Sequence, residues 1–248
     1  MQLESAQISL LGDRDDNQDR VTIIKSEQAT LLVVLDGMGG HADGSRAADT
    51  ALKSLSEAFN RQSHPIFDPL GFVHMALSRA HDEVVRLGIE QSLELRPRAT
   101  VVLCLVQDGA SYWGHVGDSR IYHLRHNSIL DRTRDHSHVE LLLREGRITE
   151  AEIPGHPMRN FVECCLGGDA AVPEMTISGR KLLQPGDVLL LCSDGIWAGL
   201  RDEDIATFPR SAPTNLQGAL EMLGKRAVRA SAPHSDNSTA AALRCLPN

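Results

Sequence analysis

The sequence predicts an α+β protein in which antiparallel sheets carry their helices on the outside. Strand-like runs joined by tight hairpins are the first sign: TVVLCLV and SYWGHV flank Asp108-Gly109, and RIYHLR and SILDR flank His126-Asn127. The second sign is a pair of early stretches with apolar residues at helical spacing. Finally, strands and helices do not alternate regularly, as a parallel sheet of crossover units would require.

Taken in order, ISLLG, RVTII and LLVVLD read as short strands. A helix follows from about Ser45 to Asn60, with Asp43 as its cap and Ala48, Ala51, Leu52, Leu55, Ala58 and Phe59 on one face. Leu70, Val73, Leu77, Ala80, Val84 and Leu87 mark a second helix. After the two hairpins come a short helix over 137–145 and an aperiodic stretch, 146–168. That stretch contains Pro154, Gly155, His156 and Pro157 and reads as a surface loop or flap. Strands over about 175–182 and 187–193, a helix over 214–229 with Leu216, Leu220, Leu223 and Ala227 on one face, and a final strand STAAALRCL complete the chain.

Four aspartates stand at or beside turns: Asp36 in LLVVLDGMGGH, Asp118 in WGHVGDSRIY, Asp194 in DVLLLCSDGIW and Asp236 in HSDNSTAAAL. Three directly follow apolar runs, so buried strands would deliver charges to their ends. Several carboxylates brought together repel one another and lose their ionised form unless cations neutralise them. Hard divalent cations with oxygen ligands meet that need, and a metal site is the first expectation. Convergence of residues 36 to 236 would also make 1–248 a single domain.

Bulk properties narrow the classes. At 42% hydrophobic and 23% charged residues, the 248-residue chain is ordinary for a soluble globular protein. A net charge of −8 with no basic stripe argues against nucleic acid as a partner. No apolar run is long enough to span a bilayer, and MQLESAQISL lacks the pattern of a signal peptide, so no membrane insertion and a cytoplasmic location are expected. The five cysteines are an odd number without CxxC spacing, which argues against a zinc site, and the three in apolar segments read as small core residues in a reducing cytosol.

Each motif alone has a plain reading. Asp-Gly is a common turn dipeptide, GDSR could join two strands, and SDN could simply cap or turn the chain. Their order is more informative: R-x-x-N-Q-D at 14–19, DGMGGHADG at 36–44, GDSRIY at 117–122, SDG at 193–195 and SDN-S-T at 235–239. With this ordered set, from Gly12 to about Leu243, the chain resembles the metal-dependent protein phosphatases of type 2C in their short bacterial form. DRTRDHSHVELLLREGRIT and GHPMRNFVECCLGG are similar to segments near that family's flap.

The resemblance implies a four-layer α-β-β-α sandwich, two antiparallel sheets flanked by helices, and a binuclear Mn²⁺ or Mg²⁺ centre. Asp36 would bridge the ions, the Gly37 carbonyl would bind one, and Asp194 and Asp236 would hold the other. Asp118 would join Asp194 at a third, weaker metal site. Asp19 would orient water from just behind the centre, and Arg14 would grip the substrate phosphate. The chemistry agrees with these residue types. Phosphate monoesters hydrolyse extremely slowly in water. Two metals can lower the pKa of a shared water and aim it at phosphorus, and a guanidinium offers planar bidentate donors to phosphoryl oxygens. Gly37, Gly39 and Gly40 would let the backbone come close to the ions. Ser119 and Ser193 lack a nucleophile-elbow context.

Three positions depart from the pattern. Gln18 stands where many members have glutamate, which weakens one ligand to the second metal or makes it indirect. Met38 replaces a histidine that eukaryotic members use as a proposed general acid, leaving His41 a candidate by proximity. Ala198 stands where some members carry a further third-metal aspartate. The expected function is a monomeric serine/threonine phosphoprotein phosphatase, reversing a eukaryotic-like bacterial kinase and acting on phosphorylated proteins. The rivals are a catalytically weak phosphoprotein-binding regulator of the same fold, favoured only by Gln18, and a hydrolase of small phosphate esters.

Overall fold

A computed structural model describes residues 2–38, 42–210 and 215–247. The chain begins with β1 (Gln2–Leu10), β2 (Arg20–Lys25), β3 (Ala29–Met38), α1 (Ala42–Asn60) and α2 (Pro69–Leu87). It continues through β4 (Arg98–Gln107), β5 (Ala110–Val116), β6 (Arg120–Arg125), β7 (Ser128–Arg132) and α3 (His138–Arg144). Three two-residue strands follow: β8 (Leu166–Gly167), β9 (Thr176–Ile177) and β10 (Lys181–Leu182). The chain then forms β11 (Val188–Cys192), α4 (Asp194–Trp197), α5 (Asp202–Thr207), α6 (Leu216–Ser231) and β12 (Ser238–Leu246).

Two antiparallel sheets result. One has the order β1-β12-β11-β6-β7; the other runs β10-β5-β4-β3-β2, with β8 added to β4 and β9 to β5. Side-chain alternation along the central strands fills three layers of core. Leu31, Val33 and Leu35 of β3, with Val101, Leu103 and Leu105 of β4, face α1 and α2. Their neighbours Leu32, Val34, Val102 and Cys104 meet Leu189, Leu191, Ala241 and Leu243 of the opposite sheet. Val188, Leu190, Ala240 and Ala242 point the other way, against Leu216, Leu220, Leu223 and Ala227 of α6. Strands buried on both faces explain why LLVVL and VLLLC are continuous apolar runs rather than alternating ones. This is the expected four-layer α-β-β-α sandwich.

The hairpins hold as read. Asp108 and Gly109 take φ of 50° and 66°, and His126 and Asn127 take 50° and 62°. Positive φ at both central residues is what a two-residue hairpin needs. Cys104, Cys192 and Cys245 are buried and free. Several elements differ from the expectation, and the first strand begins at Gln2, well ahead of ISLLG. Helix α1 begins at Ala42, so Asp43 lies in the first turn and pairs with Arg46 at 3.0 Å instead of capping. The run 175–182 is not one strand: β9 and β10 pair separately with β5. The last helix starts at Leu216 behind Asn215, whose side chain accepts from Gly218 N at 2.7 Å; residue 214 lies outside the described residues. No helix among the described residues is long and apolar enough to cross a membrane.

Candidate metal centre

In an antiparallel sandwich, one end gathers the exit of every second strand and the entry of the next. Asp36 and Gly37 end β3, Asp19 precedes β2, Asp194 follows β11 as the first residue of α4, and Asp236 precedes β12. Asp118 lies in the link from β5 to β6, which crosses from one sheet to the other. All five therefore emerge at the same end of the molecule. A cleft of about 500 Å³ opens there, lined by Arg14, Asp36, Gly37, Asp118, Asp194 and Asp236. Asp15, Asp16, Gln18, Met38, Asn160, Val162 and Asn237 complete its wall. Asp19 stands behind this lining, 3% exposed, and accepts from Ser193 Oγ at 2.7 Å.

The electrostatics are those of crowded carboxylates. Burial pushes Asp36 well above the ordinary carboxylate range, and the charges of Asp19, Asp194, Asp118 and Asp236 add to it. Asp118 is likewise raised by burial, then by Asp194 and Asp135, against the opposing pull of Arg120. Asp194 rises to about 6 through burial and the Asp236 charge. Asp19 rises to about 7 through burial, partly offset by the hydroxyls of Ser193 and Thr239 and reinforced by Asp194 and Asp236. Such a set favours bound cations or protons.

The donor set fits hard divalent ions. Asp194 Oδ1 is buried with no hydrogen-bond partner among the described residues, a lone pair that a cation would satisfy. At Gly37 a Cβ would fall 2.2 Å from the Gly44 carbonyl oxygen and 2.8 Å from that of Gln18, so only glycine permits this closeness of main chains. Among the described residues, no three His, Cys, Asp or Glu side chains close around one ion. Carboxylate and main-chain oxygens are the ligand types that Mg²⁺ and Mn²⁺ take, with waters completing the shell.

Arg14 reaches across the mouth to Asp236, with Nη2 to Oδ2 at 2.6 Å. Its loop is stitched to the 235–237 turn. Asp13 Oδ2 accepts from Ser235 N and Oγ at 3.0 and 2.7 Å. Asn237 donates to the carbonyls of Leu11 and Asp16, at 2.9 and 3.0 Å, and accepts from Gln18 N at 2.8 Å. Asn237 is thus a positioning residue that the reading by motif passed over; the SDN run was its signal. Asn160 and Val162 bring the stretch 146–168 to the cleft, and Val162 bridges to Ser137. Gly39, Gly40 and His41 lie outside the described residues. Ser193 is fully buried with its hydroxyl committed to Asp19, and Ser119 is buried against Thr100 at 2.7 Å, so neither is placed as a nucleophile.

Gly195 holds the turns bearing Asp194 and Asp236 together. A Cβ there would lie 2.0 Å from the Asn237 carbonyl oxygen, and Ser238 Oγ donates to the Gly195 carbonyl at 2.9 Å. Gly195→Ala is expected to destabilise the protein by on the order of 3 kcal/mol, as forced overpacking does. It should also weaken Mn²⁺ binding, because the two turns must part. A thermal melt and a Mn²⁺ titration check this; a variant matching the parent in both shows the contact to be unimportant.

Comparison with known proteins gives the family and the fold. The family model described as Protein phosphatase 2C matches residues 9–231. The protein phosphatase PhpP of Streptococcus pneumoniae is 32% identical over 211 residues, covering 81% of this chain and 84% of its own length. Among solved structures, the S. agalactiae serine/threonine phosphatase superposes with a TM-score of 0.88 at 27% identity, over 98% of this chain and 100% of that one. The catalytic domain of the serine/threonine phosphatase PstP, solved in complex with two manganese ions, gives 0.81 at 27% identity over 99% of both chains. A match running through nearly all of the sandwich places this chain in the protein phosphatase 2C family.

Proposed function

We propose that the chain is a serine/threonine phosphoprotein phosphatase that hydrolyses phosphomonoesters with Mn²⁺ or Mg²⁺. The observation that carries this is the convergence of Asp19, Asp36, Asp118, Asp194 and Asp236 at one end of the sandwich, with Arg14 at the mouth. Asp36, the Gly37 carbonyl, Asp194 and Asp236 would hold two ions, and Asp118 with Asp194 a third. When bound, such ions polarise phosphoryl oxygens and lower the pKa of water.

The remaining roles belong to the chain itself. The Arg14 side chain is 57% exposed, so its guanidinium has donors to offer phosphoryl oxygens beyond the one bound to Asp236. Asp19, held by Ser193 and close enough to act on Asp36, would orient water from behind it. Met38 lines the cleft and has no proton to give, so the leaving alkoxide takes its proton from water or another group. The cleft is open with Arg14 exposed at its mouth, which suits a phosphorylated side chain presented by a protein, the product of a serine/threonine kinase. Residues 14 to 236 meet in this cleft, which supports reading 1–248 as one catalytic domain.

Hydrolysis of a phosphothreonine peptide with Mn²⁺ and with EDTA tests the proposal. Turnover is expected with Mn²⁺ and lost in EDTA. Peptide binding without turnover at every Mn²⁺ concentration would instead identify a phosphoprotein-binding regulator. Preference for a sugar phosphate over the peptide would point to small esters.

A further inference from the structure

Asp118 and Asp194 lie on different elements, and a single side chain spans the gap between them. Trp197, three residues after Asp194 in α4, donates its indole Nε1–H to the main-chain carbonyl of Asp118 at 3.0 Å. The guanidinium of Arg120, two residues beyond Asp118, lies 3.5 Å over the Trp197 ring. Arg120 is itself fixed by a bidentate pair with Asp135, at 2.8 and 2.6 Å, and by the Tyr122 hydroxyl at 3.2 Å. The side chains of Arg120 and Asp135 are only 14% and 8% exposed, so this pair is a rigid seat rather than a solvated surface contact.

Other bonds hold the turn on its far side. Gly117 N donates to His136 Nδ1 at 3.2 Å, His136 N donates to the Gly117 carbonyl at 2.9 Å, and Ser119 meets Thr100 at 2.7 Å. These fix the turn against β4 and the segment before α3. The connection toward α4 runs through Trp197. Helix α4 has four residues, too few to hold its own orientation without tertiary contacts. A tryptophan filling space would need no bond to this particular carbonyl; the bond joins the main chain of one carboxylate to the helix of the other.

We propose that Trp197 is a positioning residue that sets the spacing of Asp118 and Asp194, and through it the affinity of the weaker divalent ion these two carboxylates share. The proposal rests on the phosphatase reading above. Trp197→Phe keeps a ring under Arg120 and removes the N–H. Equilibrium Mn²⁺ binding, followed by the paramagnetic resonance of the free ion, reads the effect without reference to turnover. The weakest binding step is expected to lose about fivefold in affinity, the scale of one hydrogen bond, while tighter steps stay in place. In an Asp118→Asn background the same substitution should add nothing.

Superposable isotherms, equal weakening of every step, or an undiminished fivefold loss in the Asp118→Asn background would each overturn the proposal, the last two by reducing Trp197 to packing. An Asp118→Asn isotherm identical to the parent's would overturn Asp118 as a ligand, and the proposal with it, while peptide turnover tests the phosphatase reading separately. A second measurement covers a poorly folding Phe variant. The chain has two tryptophans, so Trp113→Phe leaves Trp197 as the emitter. A change in its fluorescence at the weakest Mn²⁺ step supports the proposal; no change at that step overturns it.

Discussion

Asp36→Asn is expected to lower Mn²⁺-supported turnover of a phosphothreonine peptide by about a thousandfold or more, equivalent to roughly 4 kcal/mol of transition-state stabilisation. The substitution keeps the side chain's shape and removes its charge from the position where the fields of four other aspartates meet. The same change should not weaken the fold in EDTA, because an ionised carboxylate at 36 is disfavoured by burial and by its neighbours. Kinetics and a thermal melt on one preparation check both halves. Turnover within tenfold of the parent would remove Asp36 from the centre of the reaction.

The second large effect is on stability. Asp19 and Asp194 titrate at about 7 and about 6 in the folded chain, against an ordinary value of 3.8. Between those limits the folded state binds more protons than the unfolded one, so stability falls as pH rises through about 4 to 7. At about 1.4 kcal/mol per unit, the penalty at pH 8 is on the order of a few kcal/mol. For a chain of this size that corresponds to roughly 10 °C in Tm. The melting temperature in EDTA is therefore expected to be higher near pH 5.5 than near pH 8, and Mn²⁺ should abolish most of the difference. A flat or rising profile in EDTA would mean that neither burial nor the neighbouring charges raise these carboxylates in the folded chain.

Much of this was legible in the sequence, for specific reasons. LLVVLD and VLLLCSD announce strands that end in charge because a strand buried on both faces must be apolar up to its last residue. The two hairpin turns were visible as Asp-Gly and His-Asn, residue types that tolerate positive φ. The start of α1 was misplaced because an acid near a helix N-terminus serves equally as a cap or as a first-turn charge, and Asp43 does the second. The run 175–182 misled because Gly179 and its neighbours leave the sheet between two short pairings with β5. Helices α4 and α5, of four and six residues, are too short to show a period. Asn237 escaped notice as a hub because its partners are main-chain groups 219 to 226 residues away. Nor does any local signal reveal that the link holding Asp118 passes between sheets, since both hairpins read alike.

The pairing of β1 with β12 has a consequence for biosynthesis. Ser9 meets Thr239 across that ladder, 230 residues later in the chain. At roughly 5–20 residues per second, β1 waits on the order of ten to fifty seconds after synthesis before its partner exists. The sheet that carries Asp194 and Asp236 therefore closes last, once β12 has been made. Until then the nascent chain has an unpaired strand edge and no complete cleft, so phosphatase activity would begin only after translation has reached β12.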